Sequence, residues 1–185
     1  RWRTSQLKER SLSLEKEVAL RTKEIQERIE ELGVINNVQQ GLVEKMDMNS
    51  IYELVGDQLR DLFDAQTLVI RSFDATNEAE IINYAIEKGE KLNIPNRPLD
   101  DFSKHLMQSR DPILIGTAFK DFIKKYSNDE SLEGDIPKSA VFSPMIVDDK
   151  VIGNVSLQDV DHEEAFNEND MNLLVTLTNS MSIAL

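Results

Sequence analysis

From about Thr4 to Met46 the chain has no proline, and its only glycines there are Gly33 and Gly41. Apolar residues recur through this stretch at alternating spacings of three and four: Leu7, Leu14, Val18, Ile25, Leu32, Ile35 and Leu42. That is a heptad seam. One core position runs Ser11, Val18, Ile25, Leu32, Gln39, Met46, and the other Leu7, Leu14, Arg21, Arg28, Ile35, Leu42. Arg21 and Arg28 weaken it; either they snorkel, or a local register shift puts Ile29 in place of Arg28. The flanks, such as Glu15-Lys16-Glu17 and Glu27 to Glu31, are charged and suit a solvated helix. A stripe this narrow has nothing of its own to pack on. The expected partner is a second copy, in a parallel coiled-coil homodimer through those apolar residues. The alternative is a helix folded back on its own domain, and the last third of the helix can do both.

The remaining residues suffice for one domain, able to bury roughly two thirds of its unfolded surface. A hydrophobic share of 40% and a charged share of 30% are ordinary for a globular chain. The formal net charge of −13 argues against nucleic acid and against flat docking on an anionic membrane. The first ten residues are nonetheless basic, with Arg1, Arg3, Lys8 and Arg10 against Glu9. Without cysteine there is no disulfide, thiolate nucleophile, iron–sulfur cluster or Cys-based zinc site. No apolar run approaches the ~18 residues of a membrane span. Arg1-Trp2-Arg3 fits the cytoplasmic end of a preceding spanning helix, or equally a solvated helix start.

Beyond the seam, Asp47 to Asn49 is expected to interrupt the helix, and Ser50-Ile51-Tyr52-Glu53 reads as a capping box opening a second helix to about Phe63. Gln66 to Phe73 and Glu80 to Ile86 read as strands of a hairpin, with Asp74 to Asn77 as the turn. Gly89 to Pro98 is a loop or edge strand. Asp100 or Asp101 caps a short helix to about Ser109, Pro112 to Ile115 is a brief strand, and Thr117 to Tyr126 is a helical turn or two. A polar loop, Ser127 to Pro137, precedes a hairpin of Ala140 to Val147 and Val151 to Val160 around Asp148-Asp149-Lys150. Gly153 marks a bulge or a close backbone approach. Asn167 caps a last helix carrying Leu173, Leu174, Leu177, Met181 and Ala184. It reaches Leu185 without a C-cap pattern, so the polypeptide is expected to continue. This order gives an α+β fold, a mainly antiparallel sheet with the terminal helices on one face. Residues 1–34 form the coiled-coil segment, its helix continuing to about 46, and 35–185 the domain.

The final third carries a more specific pattern: Ser139 to Val147 with Pro144, then Val151-Ile152-Gly153, then Phe166 and Asp170 ahead of Leu173-Leu174. A small-residue strand into proline, an Ile-Gly strand, and Phe and Asp opening a helix with a Leu pair resemble the end of a GAF domain. The resemblance spans about Gly33 to Leu185. Leu14 to Val18 and Arg21 to Ile25 resemble the helical linkers of bacterial membrane-bound signalling proteins, of the sensor histidine kinase and nucleotide cyclase types.

GAF domains often hold a small molecule between sheet and short helices. The resemblance implies such short helices over the face opposite the terminal ones, and a pocket bounded by Glu80–Ile86, Ala140–Val147, Asp100–Ser109 and Thr117–Tyr126, with Tyr84, Phe102, His105, Phe119, Ser143 and Gln158 as candidate ligand-binding residues. The bland reading of each is a packed or hydrogen-bonded side chain. Cyclic-nucleotide relatives carry an Asn-Lys pair and a later Phe-x-x-x-Asp-Glu. Phe166 and Asp170 match, but Gln158, Asp159 and Met171 stand at the other places, which disfavours that ligand. Bilin attachment through cysteine and methionine-sulfoxide reduction fail on composition. Haem through an axial His105 is an alternative. Asp159 to Glu164 alternates acids like a calcium loop but has Glu164 where glycine is needed. No phosphate loop or hydrolase motif occurs.

The expected function is therefore that of a non-catalytic sensory module, with no cofactor, metal or nucleic acid. It dimerises through its terminal helices and relays a signal to a downstream catalytic domain, on the cytoplasmic side of any membrane. The alternatives are a strict metabolite receptor, a dimerising spacer without ligand, and a carboxylate-based hydrolase.

Overall fold

The computed structural model describes residues 48–63, 65–126 and 136–184, together with Glu17, Arg21 and Lys23. The chain divides into two units, Arg1–Asn37 and Val38–Leu185. In the first, Glu17, Arg21 and Lys23 are helical and exposed. The seam residues Leu7, Leu14, Val18, Ile25, Leu32, Ile35 and Leu42 lie outside the described residues.

The second unit opens with α1 (Met48–Phe63), followed by β1 (Thr67–Asp74), β2 (Ala79–Glu87), β3 (Glu90–Lys91) and β4 (Arg97–Pro98). Then come α2 (Asp101–Ser109), β5 (Ile113–Ile115), α3 (Phe119–Ile123), β6 (Ser139–Val147), β7 (Lys150–Asp159) and α4 (Glu168–Ala184). All seven strands join one sheet of order β3-β2-β1-β7-β6-β5, with β4 beside β2, and every pairing is antiparallel. This is the α+β architecture that the element order implies.

Local chemistry explains the boundaries. Asp100 accepts from the Ser103 amide at 2.7 Å and starts α2; Arg110, at φ 61°, ends it in the left-handed conformation. Asn167 Oδ1 accepts from the amides of Asn169 and Asp170, while Asp170 accepts from the Asn167 amide at 2.8 Å. This reciprocal cap satisfies otherwise orphaned donors of α4. Asp148 and Asp149 take φ 46° and 65°, as a type I′ turn between the Val147–Lys150 pair requires. Pro144 lies beyond the last β5 pair, Ile113–Phe142, where β6 has become an edge. Gly153 is a close approach: a Cβ there would stand 2.1 Å from the Arg71 carbonyl oxygen. One boundary differs from the sequence expectation. Met48 and Asn49 are helical, so Ser50 sits inside the first turn of α1 rather than capping it.

The sheet is covered on both sides. On one side α1 packs on β1 and β2, and α4 on β5 and β6, burying Ile51, Val55, Leu59, Leu174, Leu177 and Met181 against Leu68, Ile70, Val141 and Val155. On the other side α2 and α3 form a cluster with β5 and β6: Phe102, Leu106, Ile115, Phe119, Ala140 and Phe142.

Candidate ligand site

Directly opposed residues of an antiparallel pair point to the same face, so register assigns every side chain to a side. Phe142 stands opposite Ser156 and Ala140 opposite Gln158. Ser156 stands opposite Val69, Gln158 opposite Thr67, and Asn154 opposite Arg71. The face under α2 and α3 is thus apolar along β6 but polar along β7, where Asn154, Ser156 and Gln158 form a stripe. Arg71 and Thr67 of β1 adjoin it.

A bulge at Ile70/Arg71 shifts the phase of β2. Ile70 opposes Tyr84, whereas Arg71 opposes Ile82 and Phe73 opposes Glu80, leaving Asn83 as the extra residue. Glu80 consequently joins Arg71 on the α2 side, fully buried. Its carboxylate accepts from Arg97 Nε at 2.8 Å and from the Ser103 hydroxyl of α2. Arg97 also lies 3.6 Å from Asp100. Burial pushes the Arg71 guanidinium below its ordinary pKa, and the charge of Glu80 counters part of that shift.

The polar floor is incompletely satisfied. Arg71 is only 8% exposed and Asn154 fully buried, yet Arg71 Nε and both amide atoms of Asn154 lack a hydrogen-bond partner. Thr67 Oγ1 lacks one too. Gln158 reaches Ser156 Oγ at 3.4 Å.

The six residues singled out in the sequence divide three ways. Phe102, Phe119 and Gln158 share this face. Phe102 meets the Phe142 ring edge-on at 4.8 Å and Phe119 stacks on it at 6.4 Å, so both fill the β5–β6 end as core. His105 lies on the half-exposed flank of α2, its ring 4.8 Å from Tyr126. Tyr84 and Ser143 lie on the opposite face. Tyr84 opposes Ile70 and donates to Asp57 of α1 at 2.8 Å; Ser143 adjoins Phe142 and so points the other way. The expected boundary also changes, because β1 and β7 lie between β2 and β6 and form the floor. Arg71, Asn154, Ser156 and Glu80 were not among the candidates. The alternation Asn154-Val155-Ser156-Leu157-Gln158 was the available sign, since a strand central in the sheet hides both its faces.

Two other features are accounted for locally. Asp159 accepts from the Asp161 and His162 amides at 2.9 and 2.6 Å, a turn rather than a metal loop. Burial would raise its pKa, but these bonds outweigh that and hold it below the usual value. Among the described residues, no group of three or more His, Asp or Glu side chains is placed to hold a metal ion. Nor is any helix among them long and apolar enough to cross a membrane.

Solved structures share this fold. The GAF domain of a phosphoenolpyruvate-protein phosphotransferase from Coxiella burnetii aligns with a TM-score of 0.66 at 15% identity, over 84% of this chain and 92% of that one. Residues 122 to 287 of a methyl-accepting chemotaxis protein align at 0.63 and 17% identity, over 82% and 93%. The phycoerythrobilin-bound GAF domain of a cyanobacterial phytochrome aligns at 0.66 and 13%, over 85% and 95%. No curated protein matches the chain. The family model of the GAF domain matches residues 45–185, most of the sequence and all of the sheet, and the chain therefore belongs to the GAF domain family.

Proposed function

We propose that this chain is the regulatory module of a larger signalling protein, in which a small molecule held over β1 and β7 biases the arrangement of the terminal helices. The observation that carries this reading is the buried, partly unsatisfied polar floor beneath α2. Polar groups withdrawn from water without partners cost stability; a ligand that completes them recovers it. The phytochrome relative, whose GAF domain is bilin-bound, and the chemotaxis relative support a sensory role. The heptad pattern of residues 1–46 supports a parallel homodimer as the element that carries the signal onward. Its linker-like sequence favours a catalytic domain of the histidine kinase or nucleotide cyclase type as the recipient, in the cytoplasm.

A ligand can shift such an equilibrium only by binding one arrangement better than the other. The test is a thermal-shift screen of residues 1–185 against a broad metabolite library, with native mass spectrometry of the purified chain. A specific compound at ~100 times its Kd stabilises by about 2.7 kcal/mol, a shift well outside noise. A blank screen with no co-purifying molecule would leave a dimerising spacer as the better description.

A further inference from the structure

We propose that Arg71 and Asn154 form the anchor of this site and that the ligand they take is a small organic carboxylate. The inference rests on the receptor reading above and goes further by naming the chemistry recognised.

The two residues are directly paired across β1 and β7, share the α2 face, and are both more than nine-tenths buried. Three of their polar atoms have no partner: Arg71 Nε, Asn154 Nδ2 and Asn154 Oδ1. A guanidinium presents its donors as a planar fork that matches a carboxylate in two parallel hydrogen bonds. The Asn154 amide beside it supplies one donor and one acceptor, enough to read a hydroxyl, carbonyl or amine near the carboxylate.

Surrounding charge selects a monoanion. Glu80, Arg97 and Asp100 all act on the charge of Arg71, and Arg97 is already committed to the two acids, 2.8 Å from Glu80 and 3.6 Å from Asp100, with Ser103 on the other Glu80 oxygen. Two acids against Arg97 leave one negative charge in excess, so a doubly charged phosphate would meet net repulsion with only the Arg71 fork to hold it, whereas a single negative charge needs one fork alone. The backbone is shaped around the pair as well. The bulge re-aims the strand at Ile70/Arg71, and Gly153, next to Asn154, lets β7 come against the Arg71 carbonyl. Such irregularities concentrate beside binding sites.

The experiment uses residues 1–185 and a probe panel of acetate, succinate, benzoate and an amino-acid mixture, each beside its primary amides, with inorganic phosphate as a further arm. Thermal shift gives affinity, and the Arg71 Nε–Hε resonance in 1H–15N spectra gives location. At least one carboxylate should raise Tm and move that resonance, while its amide and phosphate do neither. Arg71→Lys keeps the charge without the fork and should weaken that carboxylate at least about tenfold. Arg71→Met should abolish its effect yet raise the Tm of the unliganded chain, because an apolar stem replaces a buried unpaired charge. Asn154→Leu gives the same pair of readouts should Arg71→Met fail to fold. A carboxylate shift that survives in both Arg71→Met and Asn154→Leu, or an equal response to the amides or phosphate, overturns the assignment. Hits confined to neutral or cationic library compounds also overturn it while leaving the receptor reading standing; no hit of any class overturns both.

Discussion

Tyr84 and Asp57 are joined across the boundary between sheet and helix by a hydrogen bond of 2.8 Å from the phenol to the carboxylate. Gly56, beside Asp57, gives the ring its room: a Cβ at that position would stand 2.6 Å from the Tyr84 ring. Tyr84→Phe keeps the packing and loses the bond, and should cost about 1 kcal/mol. Gly56→Ala pushes α1 off β2 and should cost about 2–3 kcal/mol. Urea denaturation of both variants checks the order.

The same pair gives an alkaline signature. Burial, reinforced by the Asp57 hydrogen bond, raises the Tyr84 pKa well above its ordinary value. The unfolded chain then ionises first, so the folded state holds the extra proton. Its contribution is complete below about pH 10 and is lost as pH rises beyond it. Stability of the native chain should fall more steeply above that point than stability of Tyr84→Phe, measured as denaturation midpoint against pH.

Gly153→Ala tests the approach of β7 to β1. The added methyl meets backbone, the Arg71 carbonyl, as well as the end of Met145. Backbone cannot step aside as a flexible side chain can, so the loss should be about 3 kcal/mol or more. Calorimetry should show a much lower Tm or no cooperative transition; a change within about 0.5 kcal/mol would contradict the register of the two strands.

Glu80 is a fully buried carboxylate whose bonds come from Arg97 and Ser103. Glu80→Ala removes an acceptor from both and opens a void beneath α2, with an expected cost of about 3 kcal/mol. Ser103→Ala removes one hydrogen bond to a charged group and should cost about 1.5–3 kcal/mol. Because the residues touch, the double variant should cost less than the sum, which a double-mutant cycle measures.

The proposed homodimer has a direct test. Leu14→Asp combined with Val18→Asp puts charge in the heptad seam, and sedimentation of residues 1–185 should then report a monomer. A dimer that survives both changes places the interface elsewhere.

Most strands and caps were legible because their causes are local. Asn167 announces itself as a cap, the Asp100-Asp101 pair narrows the other to two residues, and the largely β-branched run from Thr67 to Ile70 reads as strand without further context. Facing was less legible. The bulges at Ile70/Arg71 and Met145/Ile146 break strict alternation; the second leaves Ile152 extra beside Gly153, the glycine expected at a bulge or close approach, whereas the first leaves Asn83 extra in β2 with no glycine to mark it. Tyr84, beside the unmarked bulge, therefore could not be assigned a side from phase alone. The floor was missed for a different reason: it exists only because β7 returns to pair with β1, a contact between distant segments that no local pattern encodes. In sequence Arg71 is one charge at the end of an apolar run; paired with Asn154 it becomes half of a site.

Arg71 and Ile70 are neighbours in β1 and look in opposite directions, one toward α2 and the other toward Tyr84 and the helix behind it. Along the backbone a single peptide unit separates the residue on the polar floor from the one that faces the α1 side. A backbone that shifts to meet something on one side carries the residue on the other side with it, so the proposed role requires no relay threaded through the core: one strand would serve as both listening surface and lever.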